Sequence, residues 1–214
     1  MRSNTTEKLF YEDQPEIPKS EELSLRRARV ERKTAETQVE VEVELDGEGR
    51  CDVETGFLFL DHMLKTLAFH GLFNLSAKVV EGDLEHHMVE DVGLALGEAL
   101  SKALGGREGI NRFGWAVVPM DEALALAAVD LSGRPSFCAE LNLRADYVED
   151  VKSEDLLHFL RSMAEAAKMS LHVKVLSGEN DHHKVEAAFK ALALALRQAI
   201  SIGRSGVPST KGAL

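Results

Sequence analysis

The chain has little of what builds a disulfide framework, a membrane span or a nucleic-acid surface. It holds two cysteines in 214 residues, Cys51 and Cys138, and they show neither metal nor redox spacing. A reduced, cytoplasmic setting is therefore expected. No apolar run approaches the roughly 20 residues of a membrane span, so no membrane partner is expected. Positive charge is in deficit: 25 Lys and Arg stand against 36 Asp and Glu, a formal charge of −11. General binding to nucleic acid or to an anionic membrane is excluded on that balance. An anionic substrate would have to be held by locally placed Arg and Lys. The segment 1–25 is polar and acid-rich, with Pro15 and Pro18 and no hydrophobic signal region. It reads as a flexible extension, neither a secretory signal nor a transit peptide.

Histidine and carboxylate, by contrast, are arranged twice over. His62, His86, His87 and Glu90 recur as His158, His182, His183 and Glu186, each 96 residues later, and take up six of the eight histidines. The flanks follow the same offset. Leu75, Lys78, Val79 and Gly82 match Leu171, Lys174, Val175 and Gly178, and Ala95, Leu96, Ala99 and Leu100 match Ala191, Leu192, Ala195 and Leu196. A repeat of this length marks a copied structural unit.

The periodicity around these residues gives elements. Val39, Val41, Val43 and Leu45 alternate with Glu40, Glu42 and Glu44, a half-buried strand that ends at Asp46-Gly47. A short strand near Cys51, a helix from Phe57 to Phe69, a strand over Leu75–Val80 and a helix through Val89–Leu104 follow. Gly105-Gly106 closes the last of these. Strands around Trp115–Val118, Ala123–Val129 and Phe137–Leu143, a helix from about Glu154, a strand over Leu171–Val175 and a helix from His183 to Ile200 repeat that order. The expected fold is α+β, with sheets covered on one face by helices. The domain divides into halves of about 26–110 and 111–205, followed by a C-terminal tail.

Within HHMVE and HHKVE the first His and the Glu are four apart, on one helix face, while the second His points about 100° away. Each adjacent pair is therefore better suited to two ions than to one. Eight ligands make two quasi-equivalent sites of about four protein groups each. Such sites keep positions open for substrate or water, as catalytic sites do. Imidazole with carboxylate suits Mn, Fe, Zn, Co or Ni, and spacing does not choose among them. Core histidines and solvated helix starts would explain single residues but not the duplicated set.

The sequence resembles the imidazoleglycerol-phosphate dehydratase family of histidine biosynthesis. The motifs are RKTAET at Arg32–Thr37, LDGEG, FLDHML around His62, HHMVEDVGLALGEAL, GINRFG, VPMDEALALAAVDLSGRP, the HH-K-VEAAFKALALALRQA stretch and the terminal VPSTKG. The resemblance implies dehydration of D-erythro-imidazole-glycerol phosphate to imidazole-acetol phosphate, with two Mn²⁺ per active site. It implies a tandem pair of βαβ-type half-domains of the ribosomal protein S5 domain 2-like kind. It also implies a homo-oligomer of 24 subunits with active sites at subunit interfaces.

Carried onto this chain, the resemblance makes His62, His86, His87, Glu90, His158, His182, His183 and Glu186 metal ligands. Glu36, His70, Arg112, Arg134, Lys190, Ser209 and Lys211 become substrate contacts, the cations among them fitting a phosphate. Glu36 and Glu186 are the candidates for proton transfer. The stretch GDLEHHMVED is a few residues shorter than the family pattern before the His pair, and Met88 stands where Thr is usual. A different metal-dependent lyase or hydrolase would keep the histidines but not these cationic motifs. A metal-storage protein would need neither open sites nor a phosphate-binding tail, and a helical interaction module would not need eight spaced ligands.

Overall fold

The computed structural model describes residues 26–203 and 205–212; the extension expected over 1–25 lies outside the described residues. The first sheet is built from β1 (Arg27–Lys33), β2 (Thr37–Glu44), β3 (Cys51–Glu54) and β4 (Asn74–Gly82). Helices α1 (Leu58–Gly71) and α2 (Glu85–Leu104) belong to this part of the chain. The second sheet is built from β5 (Phe113–Met120), β6 (Ala123–Asp130), β7 (Ser136–Glu140) and β10 (Ser170–Ser177). It is accompanied by a small hairpin, β8 (Tyr147–Val148) with β9 (Val151–Lys152), and by α3 (Ser153–Ala166) and α4 (Asp181–Ile200).

The strand orders are β1-β2-β4-β3 and β5-β6-β10-β7. In each sheet the first three strands are antiparallel and the last pair is parallel. A parallel pair needs a crossover, supplied by α1 between β3 and β4 and by α3 between β7 and β10. Sidedness follows from the alternation. In both β2 and β6 every second residue is buried, which leaves one apolar face per sheet. The helices cover those faces: α2 lies on β1 and β2, and α4 lies on β5 and β6. The two helix layers then meet each other, α1 against α4 and α2 against α3. One continuous apolar core fills the layers between the sheets.

The α2–α3 approach is close because α2 presents glycine there. A Cβ on Gly93 would come within 2.8 Å of the Phe159 carbonyl oxygen, and one on Gly97 would collide with that of Met163. His86, Glu90, Gly93 and Gly97 share one stripe of α2, so the glycines set how near α3 comes to His86 and Glu90.

Two elements depart from expectation. β1 was not anticipated, because RARVERK buries little beyond Val30; it is an edge strand held by its backbone ladder and by Arg27–Glu42 and Arg29–Glu40 pairs. The β8–β9 hairpin was also missed, since its strands are two residues each. The 96-residue offset is not uniform either. It holds from β4 to β10 and from α2 to α4, but β1 and β2 precede β5 and β6 by 86. The difference is the segment containing the hairpin, which lies between β7 and α3.

Candidate metal centres

The ligands predicted from sequence assemble across the helix seam. His62 from α1 meets His182 and Glu186 from α4; His158 from α3 meets His86 and Glu90 from α2. In each triad the candidate ligand atoms lie within 4.8 Å of one another. Glu186 Oε2 is 3.6 Å from His62 Nε2 and 3.3 Å from His182 Nε2. Glu90 Oε1 is 3.1 Å from His158 Nε2, and its Oε2 is 3.9 Å from His86 Nε2. The second member of each His pair, His87 or His183, stands outside its triad, as the 100° turn required. Each triad therefore holds three groups of one chain, against the expected four.

All four paired histidines have an orienting carboxylate on Nδ1. His86 faces Asp155 at 2.6 Å, His87 faces Asp83 at 2.9 Å, His182 faces Glu149 at 3.0 Å and His183 faces Glu122 at 2.7 Å. An ionised carboxylate only accepts, so each Nδ1 carries the proton and each Nε2 offers a lone pair. This is the outer-shell arrangement of metal-bound histidine. Two imidazoles and a carboxylate per triad, with the second nitrogens of His86 and His182 held by carboxylates outside the triads, fit a divalent ion with open positions. Of these four carboxylates only Asp83, four residues before His87, had a signal in the sequence. The others reach their histidines over 33 to 69 residues.

The charges respond to this packing. The backbone N–H of Asn180, then the His183 ring, bring the Glu122 carboxyl down to about 2. In turn Glu122 raises His183, and Asp83 raises His87, above the ordinary imidazole value. Burial works to raise Glu186, but the Lys190 ammonium, 2.8 Å from Oε1, and His62 hold it below the usual carboxylate value. Burial, with Lys190 nearby, lowers His70.

The remaining predicted residues fall into three places. Glu36 is exposed beside His87, 3.7 Å from Nδ1. Its RKTAET segment is anchored by Asp91 of α2, which accepts from Arg32 Nε at 2.6 Å and from the Thr37 hydroxyl. Lys190 and His70 lie by Glu186. Arg112 sits at the far end of α4, its N–H on the Ala199 carbonyl, its guanidinium on Asp130 and on the Pro208 carbonyl. The tail bearing Ser209 and Lys211 is thereby held against Arg112. Arg134 is in the adjoining loop, where Leu131 N–H donates to the Arg112 carbonyl.

Sequence reasoning also missed Asp150, which accepts from the N–H groups of Leu58 and Phe59 at 2.6 and 2.9 Å. It caps α1, which has no side-chain cap of its own. A cavity lined by Leu58, Phe59, His62, Glu149, Asp150 and His182 opens at this corner.

The geometry defines a class: two sheets enclosing two helix layers, with an imidazole–carboxylate triad at each seam. The family model for imidazoleglycerol-phosphate dehydratase matches residues 55–196. The chain is 51% identical to the imidazoleglycerol-phosphate dehydratase of Methanothermobacter thermautotrophicus over 195 residues, covering 90% of this chain and all of the relative. It is 50% identical to that of Methanopyrus kandleri, covering 89% and 98%. The crystal structure of the Staphylococcus aureus dehydratase matches with a TM-score of 0.76 at 31% identity, over 83% of this chain and 99% of that one. That of Pyrococcus furiosus, solved in complex with (S)-C348, matches with a TM-score of 0.73 at 40% identity, over 86% and 100%. The chain belongs to the imidazoleglycerol-phosphate dehydratase family, hydro-lyases of histidine biosynthesis.

Proposed function

We propose that this chain dehydrates imidazole-glycerol phosphate with the help of two Mn²⁺ ions per active site, held by the two seam triads. The observation that carries the reading is the pair of triads whose paired histidines each have a carboxylate on Nδ1. A bound divalent ion supplies Lewis acidity toward an imidazole nitrogen of the substrate. Glu186 turns Oε2 toward the ligands while Lys190 holds Oε1, which suits it to hold an ion more than to carry a proton. Glu36 is exposed and beside His87, so it is the better placed of the two carboxylates to move the substrate proton.

Homo-oligomeric sites at subunit interfaces, in a particle of 24, belong to the same proposal. Arg112 lies at Ala199, 13 residues past Glu186 along α4, which is about 20 Å at about 1.5 Å per residue. One small phosphorylated imidazole cannot touch both places in one chain. Arg112, Arg134, Ser209 and Lys211 would therefore bind the phosphate of a substrate whose ring lies on another copy's triad. His87 and His183, free of their own triads, would complete sites on neighbours. We read the matching strand orders as a tandem duplication of S5 domain 2-like halves, over about 26–110 and 111–205, with a tail that serves the phosphate. Two free cysteines support a cytoplasmic location. Among the described residues no helix is long and apolar enough to cross a membrane.

The test is dehydration of imidazole-glycerol phosphate by metal-depleted protein with Mn²⁺ added back. Activity restored in proportion to bound metal supports the reading; equal turnover without metal overturns it.

A further inference from the structure

We propose that Asp155 is a positioning residue that makes His86–Glu90–His158 the stronger of the two metal sites, so that the ions bind in order. The inference rests on the metal reading above and concerns how the two triads differ.

Asp155 lies in the first turn of α3 and is 1% exposed. Its Oδ1 accepts from His86 Nδ1 at 2.6 Å, while Oδ2 is buried without a hydrogen-bond partner among the described residues. An unpaired carboxylate oxygen in the interior is costly unless a positive charge stands near. A divalent ion on the other nitrogen of the same ring would be such a charge. The buried bond also fixes the His86 ring with Nε2 toward Glu90 and His158, and makes that nitrogen a stronger donor.

The counterpart of Asp155, 96 residues earlier, is Phe59. Its ring packs on His182 with centroids 5.0 Å apart, which restrains the imidazole without accepting its proton. The Nδ1 partner of His182 is Glu149 on the β8–β9 turn, an exposed carboxylate that water competes with. The second triad also has an opposing charge. Lys190 Nζ sits 2.8 Å from Glu186 Oε1, and the counterpart of Lys190 by the same offset is Leu94. A cation in contact with the ligand carboxylate works against a second one. Buried orientation at one triad, and exposed orientation with a competing ammonium at the other, grade the affinities in the same direction.

The experiment is titration of metal-free, full-length protein with Mn²⁺, reading free Mn²⁺ by electron paramagnetic resonance and bound metal by elemental analysis. Wild type is expected to show two classes of about one ion per chain, separated by about tenfold or more. Asp155→Leu should weaken the tight class by about 10- to 100-fold and leave the other where it was. Asp155→Asn should recover part of the loss, because its amide oxygen still accepts from His86. Lys190→Met should tighten the weak class. Two equal classes in wild type would overturn the proposal alone, leaving the metal reading intact. So would equal weakening of both classes by Asp155→Leu, the mark of a merely structural role. No Mn²⁺ bound by wild type would overturn the metal reading and the proposal together.

Discussion

In the first half of the chain three residues join the third strand to the helix that follows, Thr55 to Phe57; in the second half the same connection takes twelve, Leu141 to Lys152. The short connection is a turn in which Thr55 binds Asp61 of the helix it precedes. The long one folds into the β8–β9 hairpin and reaches across the seam. Glu149 orients His182, Asp150 caps α1, and the segment between β7 and the hairpin is tied down by Lys184, whose Nζ binds the Asn142 carbonyl and Asp181. Lys184 is buried, and its counterpart in the first half is Met88. Two sheets of the same strand order thus come with unequal surroundings. The extra residues are spent on one triad, His62–His182–Glu186, and the glycines on the other.

The sharpest way to break this comparison separates the two carboxylates. Glu36→Gln is expected to lower turnover by about 100-fold or more while Mn²⁺ stoichiometry stays intact. Glu186→Gln should lose turnover and about one ion per chain together. Elemental analysis beside the dehydration assay reads both, and full metal with no turnover in Glu186→Gln would return the proton-transfer role to that residue.

Next in size is the helix seam. Gly97→Ala places a methyl against the Met163 carbonyl oxygen and should cost about 1–3 kcal/mol by denaturant unfolding. The counterpart in α4 is Ala193, where a methyl is already accommodated. An unchanged midpoint would show that α2 and α3 can part without penalty.

Asp150→Ala removes the cap that the hairpin lends to α1, for about 1 kcal/mol. A loss of stability without loss of metal would confine Asp150 to the helix end.

The smallest effect is one of pH. Glu122 titrates at about 2 in the folded chain against an ordinary 4.5, so its contribution to stability is present above pH 4.5 and lost as the pH falls toward 2. In metal-free protein, Glu122→Gln should flatten that acid limb, measured as urea midpoints at pH 7 and pH 3. An acid limb as steep as that of wild type would show that Glu122 contributes nothing to it.

Much of the site was legible because its ligands are local: His86 with Glu90, and His182 with Glu186, are one helical turn apart. Which third histidine joins each pair was not, since the His and Glu of the pattern recur identically in the two halves and only the packing of α1 on α4 and α2 on α3 decides. The helices and inner strands followed from strong periodicity in stretches such as Val39–Leu45. β1 escaped because an edge strand held by arginine–glutamate pairs carries almost no apolar alternation. Asp155, Glu149 and Glu122 escaped because a carboxylate that orients a distant ring looks like any surface acid until the chain is folded.

Each triad takes two groups from one half of the chain and one from the other. On the metal reading, an ion is then a fastener between halves as well as a reagent. Any ligand that binds only the folded state adds about 2.7 kcal/mol at a hundred times its dissociation constant. With the metal scarce, the protein would lose that margin along with its proposed chemistry. On that reading, opening of the seam, and with it susceptibility to proteolysis, would rise as the supply of metal falls, and the lifetime of the chain would report the metal content of its surroundings.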